Sequence, residues 1–259
     1  NEKEQTWPYY SFYLYEDPSI NFSKRPQVQS YTQNSKSALF NGMINPIIPY
    51  NIKGSIWYQG ENNVSRFKEY ETLFPAMIKD WRKKWNSDFP FYFVQIAPFE
   101  NYNGLSSSLR NVQRKTLKVE KTGMVVTLDI GEIDDIHPSN KHDVGYRLAG
   151  LALSNDYGKS MVASGPLYKN FEVSGNTLNV TFDFIGSGLT SYDKELSAFE
   201  IAGADKKYVA AEAYIKNNKV YIYSSKIQNP KYARYAWKDT SVASLFNREG
   251  LPASTFTTE

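Results

Sequence analysis

Apolar positions along the chain fall into two textures, and the change between them lies near residue 160. In the first, short apolar runs alternate with longer stretches of helical period. Residues 52–58, 91–97 and 124–128 read as strands. Between them, Tyr70, Leu73, Phe74, Met77, Ile78, Trp81 and Trp85 form one stripe at a 3.6-residue period, with Pro75 expected to kink that helix or begin a second. Ser107 to Val119 is a further helix with Leu109, Val112, Thr116 and Leu117 inward. A third helix, capped by Asn140 and running to about Tyr157, has Val144, Leu148, Leu151 and Ala152 on its buried face. Strand, helix, strand, helix, strand, helix with short apolar strands predicts a parallel sheet covered on both faces, a three-layer α/β/α arrangement. Right-handed crossovers then bring every strand's carboxyl end to one rim, where such folds bind ligands.

Beyond residue 160 the strands are short and separated by turns. Residues 171–184 predict a hairpin around Gly175-Asn176, and residues 199–202, 207–213, 219–224 and 233–237 continue in strands, with Asn217-Asn218 as a turn. This predicts a β-sandwich over residues 160–259, following an α/β domain over 36–159. Residues 1–35 read as a partly irregular connector with a strand near Tyr10 to Tyr15, and residues 37–44 as a short helix closed by Pro46 and Pro49.

Composition narrows the functional classes. The net charge of +3, from 30 basic and 27 acidic residues, is too balanced and too evenly spread to argue for nucleic acid or an anionic membrane as a partner. The absence of cysteine removes disulfides, thiolate metal sites and a Cys nucleophile. Aromatic residues at 15% fit either β-strand packing or a surface that stacks sugars. No stretch approaches a membrane span and no signal peptide is visible. The opening residues Asn1-Glu-Lys-Glu-Gln-Thr6 lack Met and read as the middle of a longer chain.

Candidate chemistry sits on the predicted rim. Asp129-Ile-Gly-Glu-Ile-Asp-Asp-Ile-His-Pro-Ser-Asn140 holds four carboxylates and one of the two histidines. Asp134 and His137 stand three apart, so a tight turn lets the carboxylate hold one imidazole nitrogen while the other faces a substrate, the Asp–His half of a nucleophile–His–Asp triad. A structural loop histidine is the alternative. The same carboxylates, Asp129, Glu132, Asp134 and Asp135, could hold a hard cation with His137, although no spacing fits a known calcium loop. His142 reads as an exposed residue of a first helical turn. Gln59-Gly60-Glu61 follows the first strand. It is either a polar turn or a place where Gly60 admits close backbone approach and Gln59 donates to a developing oxyanion.

Six segments, taken in order, resemble a known family. Residues 42–54 followed by Ile56-Trp-Tyr-Gln-Gly-Glu-Asn-Asn63, then residues 73–82, Asp134-Asp-Ile-His-Pro138, Arg234-Tyr-Ala-Trp237 and residues 247–253 are together similar to the sialate O-acetylesterase family of the SGNH (GDSL-like) hydrolases. The resemblance implies a serine esterase that removes O-acetyl groups from sialic acid or other glycans, without cofactor or metal, in the periplasm or outside the cell. It implies His137 as general base, Asp134 as its orienter, Gln59 and Gly60 at the oxyanion site, and a structural Glu61. Family members carry the nucleophile in a Gly-Gln-Ser-Asn-Met-like block near the domain's start, which is absent here, as is the first βα unit. Ser55 falls inside a strand and Ser139 after the histidine, so neither is read as the nucleophile. Asn45 stands where many members have His. The expectation is a carboxy-terminal fragment, inactive alone, whose serine an upstream part of the same gene product supplies. A non-catalytic carbohydrate-binding protein on the esterase fold is the alternative.

Overall fold

Phe91-Tyr-Phe-Val94 is buried at every position, and this is what a strand covered on both faces requires. The computed structural model describes Thr32 and residues 35–259. The strand predicted near Tyr10 to Tyr15 lies outside these residues. Residues 35–50 and 51–259 belong to different compact units and are described separately.

In the first unit, a π-helical turn, Phe40–Ile44, leads directly into a 3-10 turn, Asn45–Ile47. The last bond of the π-helical turn runs from Asn45 N–H to Phe40 O, and Pro46, lacking an N–H, cannot make the next one, so it closes that turn as expected. It occupies the opening of the next turn, where no backbone N–H is needed.

The second unit opens with strand β1 (Ser55–Trp57), helix α1 (Phe67–Trp85), strand β2 (Phe91–Val94), helix α2 (Ser106–Thr116), strand β3 (Thr122–Val125) and helix α3 (Lys141–Asn155). The strands form a parallel sheet in the order β1-β2-β3, with Ser55 opposite Phe91 and Phe93 opposite Met124. Alternation along β2 sorts its side chains between two layers. Phe91 and Phe93 pack with Phe74 and Ile78 of α1 and Leu109 of α2, whereas Tyr92 and Val94 pack with Val144, Leu148 and Leu151 of α3. The three-layer α/β/α arrangement is thus present. Each strand is shorter than its apolar run, because the runs continue into the buried loops of the rim; residues 95–98 and 126–128 are buried beyond the last paired residue.

Helix α1 runs through Pro75 without a break. Its buried residues are Tyr70, Phe74, Ile78 and Arg82, while Leu73, placed on the inward stripe by periodicity, is exposed. Arg82 is buried because its guanidinium closes the far end of the sheet. Nε donates to Phe89 O, Nη1 to Glu120 O and Nη2 to Lys121 O, each at 2.9 Å.

The rest of the unit is antiparallel. Strands β4 (Leu167–Ser174), β5 (Thr177–Asp183), β10 (Lys219–Tyr223) and β9 (Glu212–Lys216) form one four-stranded sheet. Strands β13 (Phe256–Thr257), β11 (Tyr232–Tyr235), β7 (Phe199–Ala202) and β8 (Val209–Ala210) form another, and β6 (Leu189–Thr190) pairs with β12 (Phe246–Asn247). The predicted strand over residues 207–213 is in fact two, β8 and β9, which belong to different sheets. Asn217 and Asn218 both take positive φ, 52° and 56°, as a tight hairpin demands. The two sheets meet through Phe182 and Phe256, 5.7 Å between ring centroids, and Tyr168 and Phe256, 5.0 Å. Among the described residues, no helix is long and apolar enough to cross a membrane.

Helix α2 joins these layers. Its N-cap residue, Leu105, offers no side-chain cap. The cap arrives from Asp239, whose carboxylate accepts from Gly104 N at 2.6 Å, Ser106 N at 3.1 Å and the Ser106 hydroxyl at 2.6 Å. One turn on, Arg110 is fully buried and donates through Nη2 to Ala236 O at 3.2 Å and Lys238 O at 2.6 Å. Burial lowers its pKa to about 10, with Asp239 opposing the shift, so the guanidinium stays charged at neutral pH. Replacing Asp239 with Ala removes the cap and leaves Arg110 without its nearby carboxylate. A loss of about 2–4 kcal/mol is expected in urea unfolding, whereas a change below about 0.5 kcal/mol would show that α2 is capped adequately without it.

Candidate active site at the strand rim

Parallel pairing brings the segments after β1, β2 and β3 to one edge of the sheet. The first is Tyr58-Gln-Gly-Glu61. Gly60 is buried, and a Cβ there would stand 2.9 Å from Ile96 Cγ2 and 3.1 Å from Gln113 Nε2. Gly60 therefore has no room for a side chain, because the protein's own interior packs against it. Gln59 is held on every side. Its backbone oxygen and its Oε1 both accept from the Tyr70 hydroxyl at 3.3 Å, and its Nε2 donates to Asn63 Oδ1 at 2.6 Å. That arrangement fixes the amide's orientation and leaves one Nε2 hydrogen uncommitted.

The three loops are tied to one another. Gln113, a fully buried residue of α2, donates through Nε2 to Gln59 O at 3.4 Å and Val94 O at 3.1 Å, while its Oε1 accepts from Ile96 N at 3.0 Å. One side chain thereby joins the ends of β1 and β2. Glu100 N donates to Ile133 O at 2.9 Å, joining the second loop to the third. Lys141 donates to Pro138 O and lies 5.5 Å over the Tyr58 ring, joining the third to the first. Tyr58 is half-buried, and burial together with Glu61 pushes its hydroxyl up to about 12; the same two causes raise Tyr102, burial again the larger. These phenols stay protonated near neutral pH. Glu61 opens the 3-10 helix Glu61–Arg66.

The acidic loop divides into parts with separate work. Asp129 is clamped by Arg147 of α3, Oδ1 to Nη1 at 2.8 Å and Oδ2 to Nη2 at 2.5 Å. Glu132 accepts from both the Ser139 N–H at 2.8 Å and the Ser139 hydroxyl at 2.5 Å, and these bonds hold its carboxyl below the usual range. Asp135 accepts from His137 N at 2.7 Å. Asn140 caps α3 as predicted, its Oδ1 accepting from Asp143 N at 3.1 Å. Among the described residues, no His, Asp and Glu side chains gather in threes as a metal site would need.

His137 is 88% exposed in its side chain. The carboxylate nearest its Nδ1 is that of Asp135, at 3.9 Å; no hydrogen bond joins Asp134 to the ring, and Asp134 is exposed. The two residues singled out from sequence share the rim loop but are not in contact in this structure. Ser139, bonded to Glu132, and Ser55, inside β1, offer no hydroxyl to His137. His142 is exposed and lies 3.2 Å from Asp143. Tyr70, Asn63 and Gln113 organise the Gln59 turn and were not foreseen. Only the fact that Gln113 falls one position after the buried Val112 stood in the sequence to mark it.

The carboxyl of Glu132 gives a direct test of the loop. Because its folded pKa is depressed, its contribution to stability is present above the unfolded pKa and is lost as pH falls through the folded one. Ser139→Ala removes the hydroxyl bond, so the Glu132 pKa, followed by carboxyl NMR, is expected to rise toward about 4.3. An unmoved titration would mean that the hydroxyl bond does not persist in solution.

Comparisons with known proteins accord with this geometry. Residues 25–154, half of the chain, match the family described as carbohydrate esterase, sialic acid-specific acetylesterase. The chain is 32% identical over 193 residues to the sialate O-acetylesterase of Mus musculus, covering 65% of this chain and 36% of that protein. It is 34% identical over 172 residues to that of Rattus norvegicus, covering 57% and 32%. Among solved structures, a carbohydrate acetylesterase from Xanthomonas citri superposes with a TM-score of 0.81 at 38% identity, over 85% of this chain and 54% of that one. The chain thus spans about a third of the rodent proteins it matches and about half of the bacterial one.

Proposed function

The chain belongs to the carbohydrate esterase family of sialic acid-specific acetylesterases, and from that premise we propose that it forms the histidine-bearing part of a carbohydrate O-acetylesterase. The observation that carries this reading is the convergence of the Gln59 turn and the Asp134–His137 loop on one interlocked rim. In this mechanism a serine oxygen attacks the acetyl carbonyl carbon while His137 takes the hydroxyl proton. His137 returns that proton to the sugar oxygen as the ester bond breaks, and water releases acetate from the acetyl-enzyme through the same histidine. Gln59, with an oriented amide and one free N–H hydrogen, and Gly60 stand at the oxyanion. Asp134 orients His137 when substrate orders the loop, since catalytic hydrogen bonds are often open in an unliganded site.

We place the nucleophile outside the described residues, a reading supported by the Ser139 hydroxyl being held by Glu132 and by Ser55 lying inside β1. The substrate is an O-acetylated glycan, with sialic acid one instance, and the protein acts in the periplasm or outside the cell. The lack of a serine contact to the His137 ring among the described residues also favours a second reading, a glycan-binding protein that retains the fold without turnover.

Hydrolysis of 4-nitrophenyl acetate separates the two, measured on this chain and on the product of its complete open reading frame. Turnover by the complete product, with the short chain near background, is expected; His137→Ala should lower kcat by about 10⁴-fold or more. Robust turnover by the short chain that survives Ser55→Ala and Ser139→Ala would overturn the external serine. Absence of turnover by either product would favour the binding protein. Asp134→Asn should cost about 10³–10⁴ in kcat, whereas Asp135→Asn should cost less than about threefold; the reverse order would assign the orienting role to Asp135.

A further inference from the structure

Away from the rim, a groove of about 360 Å³ runs between α1, α2 and the β11–β13 edge of the antiparallel sheet. Phe67 and Trp237, both half-buried, supply aromatic walls. The Trp237 ring is backed by Arg234, whose guanidinium carbon lies 5.6 Å from the ring centroid and 3.9 Å from that of Tyr208. Arg234 is in turn held by Glu200 at 2.9 Å.

The polar lining is built around Asn111, which is only 6% exposed. Its Oδ1 accepts from both Nε and Nη2 of Arg114, at 3.2 and 2.8 Å. Only the oxygen of an amide can accept from a guanidinium, so this fork settles which way the amide points. The Nδ2 hydrogens are left without a protein acceptor among the described residues, in a side chain that lines the groove. Ser108 stands one turn before it on the same wall.

Charge decides the ligand class. Lys115 is paired with Glu71 at 2.9 Å, Arg234 with Glu200, and Glu259 with Lys206 at 2.7 Å. Every charged side chain lining the groove already has an opposite partner, so an anionic ligand would find no free cation there.

We propose that this groove is a subsite for a neutral pyranose, its C–H face stacked on Trp237 and a ring hydroxyl accepting from Asn111 Nδ2. An aromatic face beside an oriented amide donor, in a concave site of this size, is the chemistry that such a ring requires. The site shares no residue with the rim and requires no catalysis, so it stands whether or not the esterase reading does.

The test is an NMR titration of the isotope-labelled chain with xylotriose, maltotriose and methyl β-galactoside as neutral probes and sodium N-acetylneuraminate as the anionic one. At least one neutral probe is expected to shift the Trp237 indole N–H and the Asn111 side-chain amide saturably, with Kd on the order of 1 mM. Asn111→Asp preserves shape and the bond to Arg114 but removes the donor, and should weaken binding about tenfold, as should Trp237→Ala. Trp237→Phe, which keeps an aromatic face, should stay within about threefold. Silence from all three neutral probes overturns the proposal. So does binding unaffected by Asn111→Asp, or tighter binding of N-acetylneuraminate at these resonances.

Discussion

Helix α2 is held at its start by a carboxylate that comes from the far end of the chain, and the architecture depends on that junction. Asp239 satisfies the N–H groups of Gly104 and Ser106 that the local sequence leaves without a cap, and places a negative charge where the helix end is positive. It also stands near the buried Arg110, which in turn holds the carbonyls at residues 236 and 238. Neither charge would be tolerable alone in that interior; burying a charge costs several kcal/mol unless it is paired or hydrogen-bonded. With α2 fixed in this way, the next turn of the same helix delivers Gln113 to the ends of β1 and β2. The antiparallel sheets therefore govern the geometry of the parallel sheet's rim, through one helix.

The rim built on that helix is rigid in one half and open in the other. Around Gln59 the backbone oxygen, the side-chain oxygen and one of the two side-chain N–H hydrogens are committed, and Gly60 is packed so tightly that a methyl group would collide with Ile96. An oxyanion site works by being preorganised, and the role proposed for Gln59 asks for this immobility. The His137 half is anchored at its edges, by Asp129 to Arg147 and by Glu132 to Ser139, while the imidazole itself faces solvent. Ser139, set aside as a nucleophile, is accounted for by the same bonds, since its hydroxyl is occupied in holding the loop rather than in reaching the histidine.

Much of this was legible in the chain because it is local. The βα alternation, the Asn140 cap and the Asn217-Asn218 turn each follow from neighbouring residues, and each is present. What was misread lies where tertiary contacts overrule local pattern. Leu73 obeys the period of α1 but faces outward, and Arg82, polar and therefore assigned to no core, is buried because three carbonyls of the sheet's far end converge on it. Residues 207–213 read as one strand because composition does not record that the chain changes sheets at Ala211. Asp239 and Arg110 were invisible for a simpler reason: more than a hundred residues separate each from what it holds. The candidate pair was found by spacing, yet spacing of three leaves two acids within reach of one histidine, and the structure sets Asp135, not Asp134, nearer the ring.

That last point bears on how such a loop can work. Asp135 is already accepting from the His137 backbone N–H, a bond that shapes the turn and directs its carboxylate toward the main chain. A carboxylate has two oxygens, so this bond leaves Asp135 able to accept a second, whereas Asp134 accepts no hydrogen bond from the described residues. The division resembles that between Asp129 and Glu132, where each acid has one fixed partner. It leaves Asp134 as the acid of this loop that no hydrogen bond among the described residues fixes in place. A loop whose scaffold bonds lie on Asp129, Glu132 and Asp135 can change the setting of Asp134 without breaking the contacts that hold it on the rim.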